Sequence, residues 1–232
     1  MRSWRATPKL KIDLHVHTDH SDSISSVEKI LMSARKKKLD GIAITDHGTM
    51  TAVPIALKKA QDLIIIPGIE VETADGHILV LGLKESVPKG LNSIEVAEYA
   101  RNEGCVIIIA HPNVLLHHFN ENVIKRIRPD AIETHNAKTV FSGWMIQKNI
   151  QLANRLGLPQ TGGSDSHMHQ TVGDMYTVIN ANTRRVEDVL AAIKNGNVTP
   201  AGNASTIWEK PIRYCKLVYH TLQKLGKTIV DR

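Results

Sequence analysis

Seven of the twelve histidines in this 232-residue chain stand where an expected β-strand begins or ends: His15, His17, His47, His77, His111, His135 and His167. His47 follows GIAITD, His111 follows CVIIIA, and His135 follows AIET. One histidine so placed is ordinary in a protein core. Seven, with carboxylates among them, have the makings of a metal site. His15 and His17 are separated by one residue, and alternate residues of a strand share a face, so both imidazoles can grip one ion. Asp165 and His167 in GGSDSH repeat that spacing, while Asp22 and Glu70 (in PGIEVE) add carboxylates. Imidazole with carboxylate and no thiolate suits Zn²⁺, Mn²⁺ or Fe²⁺ rather than Ca²⁺ or Mg²⁺, and two or three such divalent ions are expected.

Two positions carry competing readings. If Asp75-Gly76 forms the two-residue turn of a hairpin, Glu70 and His77 share a face but lie about four residues, roughly 13 Å, apart along it. His135 competes with His77 for one coordination place or touches substrate instead. His20, His117, His118, His169 and His220 read as loop or surface residues, with His169 close enough to contact a ligand.

The elements that must position these groups alternate. Strands are expected at Lys11–Val16, Gly41–Thr45, Leu63–Pro67, Ile69–Thr73, His77–Gly82, Val106–Ala110, Ala131–Thr134, Pro159–Gly162 and Tyr176–Ile179. Helices are expected at Ser26–Lys38, Met50–Gln61, Ser93–Glu103, Glu121–Arg126, Ile146–Leu156, Arg185–Asn195 and Lys210–Leu225. Ser93 and Thr183 look like N-caps, and Gly104, Gly157 and Gly196 like C-terminal stops. Continuous apolar strands alternating with helices point to an α/β fold, a closed or distorted barrel, in which function gathers at the C-terminal ends of the strands. Residues 1–202 form the barrel domain, and 203–232 a short C-terminal helical extension.

Composition narrows the field. Hydrophobic residues make up 42% and charged residues 22%, ordinary for a globular protein. The formal charge of +6 fits an anionic substrate and a solvated surface equally. Two cysteines without CxxC support neither a disulfide framework nor a thiolate zinc site, and favour a reducing cytoplasm. No apolar run approaches the ~20 residues of a membrane span, and the basic N-terminus lacks a signal peptide's apolar stretch.

The blocks DLHVHTDHSDS (13–23), GIAITDHGTM (41–50), IPGIEVETADGHILVLGL (66–83), IIAHPN (108–113), IETHNA (132–137) and GGSDSH (162–167) resemble, in order, those of the PHP (polymerase and histidinol phosphatase) superfamily. The resemblance implies a distorted (β/α)7 barrel with a trinuclear metal site at the strand C-termini. It implies one ion on His15, His17, Glu70 and Asp165, a second sharing Glu70 with His77 and His111, and a third on Asp22, His47 and His167. Asp46 and Asn136 would orient ligands from behind. His135 departs from the family pattern, which more often has an aromatic or aliphatic residue there.

The activity expected from this set is hydrolysis of a small phosphorylated metabolite or nucleotide by metal-activated hydroxide. Glu70, Asp165 and His135 are the expected catalytic residues, and Asn136, His135, His169 and Lys138 the expected substrate contacts. Lys148 and Arg184 are further phosphate candidates. No GxSxG elbow or Walker A loop offers another chemistry. The alternatives are a nuclease, disfavoured by few aromatics for base stacking, and a non-catalytic, metal-stabilised interaction module.

Overall fold

The computed structural model describes residues 8–114, 117–139 and 142–204. Nine strands form one sheet that curls into a nearly closed barrel, in the order β11-β10-β1-β2-β3-β4-β5-β8-β9. These are β1 (Lys9–Val16), β2 (Gly41–Ile44), β3 (Ile64–Thr73), β4 (Gly76–Leu81), β5 (Val106–Ile109), β8 (Ala131–Asn136), β9 (Gln160–Gly163), β10 (Met175–Asn180) and β11 (Val198–Gly202). A two-stranded hairpin, β6 (Asn113–Val114) and β7 (His117–His118), stands apart. β1, β2 and β3 run parallel, as do β5, β8 and β9; β4 and β10 run against their neighbours. Those reversed strands distort the barrel.

Helices α1 (Val27–Lys36), α2 (Val53–Lys59), α3 (Ser93–Asn102), α4 (Glu121–Ile127), α5 (Ser142–Leu156) and α6 (Val186–Lys194) follow the apolar spacing. In α1 the buried residues are Val27, Ile30, Leu31 and Ala34, the i, i+3, i+4, i+7 stripe of an amphipathic helix. They pack on Val16, Ile42 and Ile44 outside β1 and β2. Helices α3, α4 and α5 cover the outer face of β3–β8 through Val96, Ala100, Ile124 and Leu152. By contrast, α6 packs Val189, Ala192 and Ile193 against the barrel interior, with Leu10, Ile12, Leu14, Leu79, Leu81 and Ile108. It plugs the end away from the histidines.

The seam closes where β9 meets β10 and β1. Gly162 donates to Thr177 Oγ1 (2.9 Å) and accepts from it (2.8 Å), and beyond it Asp165 N donates to His15 O (2.9 Å). Two glycines permit this approach: a Cβ on Gly162 would lie 2.8 Å from Tyr176 O, and one on Gly163 2.5 Å from His15 Cβ.

Several expectations are corrected. Leu63–Pro67 and Ile69–Thr73 are a single strand, β3, running through Gly68. The edge strand β11 was not expected, because Pro200 interrupts its pattern; an edge tolerates the missing N–H. The cap of α3 is Asn92 rather than Ser93: its side chain accepts from Ile94 N and Glu95 N while Glu95 answers Asn92 N, a capping box. The residue preceding α6 is Arg185, with no side-chain cap; Thr183 Oγ1 instead accepts from Arg185 N at 3.1 Å. Gly104, Gly157 and Gly196 do end their helices, all at positive φ. The expected helix Lys210–Leu225 and extension 203–232 fall almost entirely outside the described residues.

Candidate metal centre

An irregularity in β1 makes the site possible. Its pairing with β2 shifts between Asp13 and Val16. Below the shift Leu10, Ile12 and Leu14 face the interior; above it Val16 packs outward, and His15 and His17 turn into the mouth. Fully buried Asp13 holds the kink by accepting from His15 N (3.2 Å), Ser164 N (2.9 Å) and Gly173 N (2.8 Å). Burial pushes its carboxyl up to about 6 against those bonds.

The imidazoles of His15 and His17 meet with Nε2 atoms 3.1 Å apart, and Glu70 Oε2 lies 3.1 Å from each. Asp165 Oδ1 completes this first group at 3.7 and 3.4 Å. The other oxygen of Glu70, Oε1, faces a second group: His77 Nδ1 at 2.9 Å and His111 Nε2 at 3.2 Å. A third group joins His17, Asp22, His47 and His167, with His167 Nε2 2.8 Å and His47 Nε2 3.9 Å from Asp22 Oδ2. The nine residues expected to bind metal are thus brought to one mouth, and Glu70 joins the first two groups. His77 belongs here although β4 is reversed, because its start lies where the parallel strands end.

The expected 13 Å separation of Glu70 and His77 is overturned by the turn. Thr73 pairs with Gly76, so the loop is Ala74-Asp75, and His77 stands opposite Glu72. His77 is therefore one diagonal step from Glu70, within side-chain reach.

Buried carboxylates and imidazoles set the charge balance of the site. Burial works against the Glu70 charge, yet His15, His111 and His17 hold its carboxyl well below the usual range. Asp165 is also held well below its range despite burial, by Lys138, His15, His17 and His167. Burial opposes a proton on His15, but Glu70, Glu133 and Asp165 raise its pKa well above normal. Against the same opposition, Asp165 and Glu70 raise His17 to about 9. His111 is raised by Glu70, again against burial. His47 goes the other way, lowered chiefly by burial. Buried anions of this density need protons or metal ions nearby. The buried Nδ1 atoms of His17 and His47 make no hydrogen bond among the described residues. Nitrogen and carboxylate donors within 4.8 Å of one another fit divalent metal. Left-handed backbone at His111 (φ 28°) and Asp165 (φ 51°) places strain at ligand positions.

Behind these groups stands Glu133, which the sequence reading missed. Its Oε1 takes His15 Nδ1 (3.0 Å), and its Oε2 accepts from His111 N (3.1 Å) and Asn136 Nδ2 (2.9 Å). A glutamate inside the strand AIETHN was the available signal. Because β8 shifts register between Glu133 and His135, Glu133 and Asn136 face the site and His135 does not. His135 instead meets Thr134 Oγ1 at 2.9 Å and belongs to none of the metal-type groups among the described residues.

Other expected contacts differ too. Asn136 is buried, its amide turned to Glu133 and Asp165 (3.2 Å) and its oxygen to Lys138 N and Thr139 Oγ1, so it positions ligands rather than substrate. Asp46 meets no imidazole among the described residues; it accepts from Thr18 N, Thr18 Oγ1 and Ser21 Oγ (2.6, 2.6 and 2.7 Å), fastening the loop that carries Asp22. His169 is held by Ser25, its Nδ1 3.0 Å from Ser25 Oγ. Arg184 is bonded to Asp40 at the start of β2, and the Lys148 ammonium lies 3.7 Å from the centre of the exposed Trp144 ring. Lys138 does reach the mouth, with Nζ 3.1 Å from His167 Nε2.

Residues 146–198 match the PHP-associated family model PHP_C. The uncharacterized protein MJ1587 of Methanocaldococcus jannaschii is 34% identical over 116 residues, 44% of this chain and 68% of that protein. The 5'-3' exoribonuclease Rnm of Salmonella typhimurium is 36% identical over 77 residues, 31% of this chain and 26% of the enzyme. A two-domain Bacteroides vulgatus protein containing a predicted PHP-like metal-dependent phosphoesterase superposes with TM-score 0.74 at 18% identity, over 84% of this chain. The chain spans 65% of that protein's length, and the likeness is one of fold.

Proposed function

Because this chain belongs to the PHP superfamily, we propose that it is a metal-dependent phosphoester hydrolase acting on a small phosphorylated metabolite or nucleotide. The observation that carries the proposal is Glu70, whose two oxygens face two different sets of imidazoles across one buried pocket. Ions held by His15, His17, Glu70 and Asp165, by Glu70, His77 and His111, and by Asp22, His47 and His167 would supply ionised water and charge neutralisation at phosphate.

The chain's own part is orientation. Glu133 accepts the Nδ1 proton of His15, which turns the Nε2 lone pair toward Glu70 and His17. The backbone carbonyl of Asp165 does the same for His167. Asn136 holds Asp165, and Asp46 holds the Asp22 loop. Glu70 and Asp165 are thereby kept ionised in a buried site, as metal binding requires.

The likeness to an exoribonuclease over one segment supports a second reading, cleavage of RNA or DNA ends. Four Tyr, three Trp and two Phe provide few stacking surfaces for a strand and favour the smaller substrate. A reducing, cytoplasmic setting fits the buried free thiol of Cys105, and no described helix is long and apolar enough to cross a membrane.

The test is a panel of phosphomonoesters, phosphodiesters and oligonucleotides, assayed with chelator and after return of Mn²⁺ or Zn²⁺. Activity should vanish on chelation, return with metal, and be lost in His15→Ala and Asp165→Ala. Turnover indifferent to chelator refutes the proposal; bound metal without turnover on the whole panel supports an interaction module instead.

A further inference from the structure

Beside the second group of ligands lies a cavity of about 260 Å³, with the β3–β4 turn on one side and the chain from Ala110 to Phe119 on the other. Ala74, Gly76, Ala110, Pro112, Val114 and Phe119 form much of its wall. His77 and His111 line it too. The same two imidazoles face Glu70 Oε1 at 2.9 and 3.2 Å, their rings edge to face with centres 5.2 Å apart. The cavity is therefore continuous with the candidate metal centre.

Its walls are fixed in place and offer few free hydrogen-bonding groups. Apart from the two imidazoles, no described residue lining it has an ionisable side chain. The polar groups along it bond to one another. Thr73 Oγ1 donates to Gly76 O (2.7 Å) and accepts from Asp75 N (3.3 Å). Ala110 N donates to His77 O (3.1 Å), and Phe119 N to Pro112 O (2.8 Å). The β6–β7 hairpin is pinned to α5, because Asn113 N and Nδ2 both donate to the buried Asn149 Oδ1 (3.1 and 2.8 Å). Phe119 is buried in the outer core with Ile109 and Ile124.

A hydroxyl-rich sugar entering here would shed water and find few partners on the walls. An apolar group would lose only unfavourable hydration. The volume falls below the roughly 300–1,000 Å³ of sites that enclose a whole drug-sized ligand, so it suits one part of a substrate, about a single ring. Resting on the phosphoester-hydrolase reading above, we propose that this cavity receives the alcohol side of the substrate. It selects phosphate esters of uncharged, apolar alcohols bearing one ring over sugar phosphates and polyphosphates.

The test compares benzyl phosphate with glycerol 1-phosphate, both esters of unactivated primary alcohols, so that the ratio of kcat/KM values reads fit. The full chain loaded with Mn²⁺ is assayed as wild type, Val114→Asp and Val114→Leu. Wild type should favour benzyl phosphate by about tenfold or more, the scale on which an apolar pocket discriminates. Val114→Asp should lower that ratio about tenfold, mainly by raising KM for benzyl phosphate, and Val114→Leu should keep the preference. A general loss of activity cancels in the ratio. Inhibition of wild type needs no variant: benzylphosphonate should act at about tenfold lower concentration than methylphosphonate. A ratio near one or favouring glycerol 1-phosphate, equal inhibition by the two phosphonates, or a preference untouched by Val114→Asp overturns the inference and leaves the proposed function standing. Bound metal without turnover of any phosphoester overturns both.

Discussion

Glu133→Gln makes an informative perturbation because it keeps the side chain's shape while removing its negative charge and turning one acceptor oxygen into a donor. Three donors converge on the two oxygens of Glu133: His15 Nδ1 on one, His111 N and Asn136 Nδ2 on the other. A glutamine has one oxygen and one NH₂. If the oxygen serves His111 and Asn136, the NH₂ opposes the Nδ1–H of His15, which must move its proton to Nε2 and give up its ligand lone pair. If the amide flips, two donors meet an NH₂ and are left unsatisfied in a fully buried place. Either arrangement costs about 1–3 kcal/mol, equivalent to several degrees of melting temperature at roughly 2–4 °C per kcal/mol in a domain of this size. Because the damage falls on a ligand's tautomer, Mn²⁺ affinity should drop about 10–100-fold. Calorimetric titration with Mn²⁺, a thermal melt of the metal-free protein and rates at saturating metal read these effects separately. Wild-type affinity and rate in Glu133→Gln would refute the claim that Glu133 orients His15 for metal.

Two further predictions follow from the seam and from the charge balance. Gly163→Ala would place a methyl 2.5 Å from His15 Cβ and 2.6 Å from Glu133 Oε1, so it should cost about 1–3 kcal/mol in urea unfolding and weaken metal uptake; an unchanged midpoint and affinity would contradict the close packing described. His17 has its pKa raised from 6.5 to about 9, so its proton stabilises the metal-free fold fully below pH 6.5, and that contribution is lost as pH climbs through about 9. The metal-free melting temperature should therefore fall across that window while Mn²⁺ affinity rises, since metal and proton compete for the same imidazoles; a metal-free melting temperature independent of pH would count against this balance.

Much of the site was legible because ligand chemistry is written in residue type, and strand ends in local pattern. Histidines after GIAITD and CVIIIA announce themselves, and HxH on a strand fixes a shared face. What could not be read was registry. The turn at Ala74-Asp75 rather than Asp75-Gly76 shortens the distance from Glu70 to His77, and that choice depends on hydrogen bonds around Thr73 and Gly76. The irregularities in β1 and β8 exchange which residues face inward, bringing in Glu133 and Asn136 and excluding His135. Such slips arise from closure of the barrel, a tertiary constraint with no local signature. Asp46 stands behind a ligand as expected, but it acts on the loop of Asp22 rather than on an imidazole, because its partners, Thr18 and Ser21, approach from a loop 25 or more residues earlier.

The central claim, that distant residues converge to hold divalent cations, is tested most directly by anomalous diffraction from crystals grown with Mn²⁺ or Zn²⁺. The account predicts an anomalous peak bonded to His15 Nε2, His17 Nε2, Glu70 and Asp165, and a second at Glu70, His77 and His111, with ligand distances of about 2.0–2.2 Å. Ordered metal elsewhere on the surface, with these six side chains contacting only one another, would contradict it.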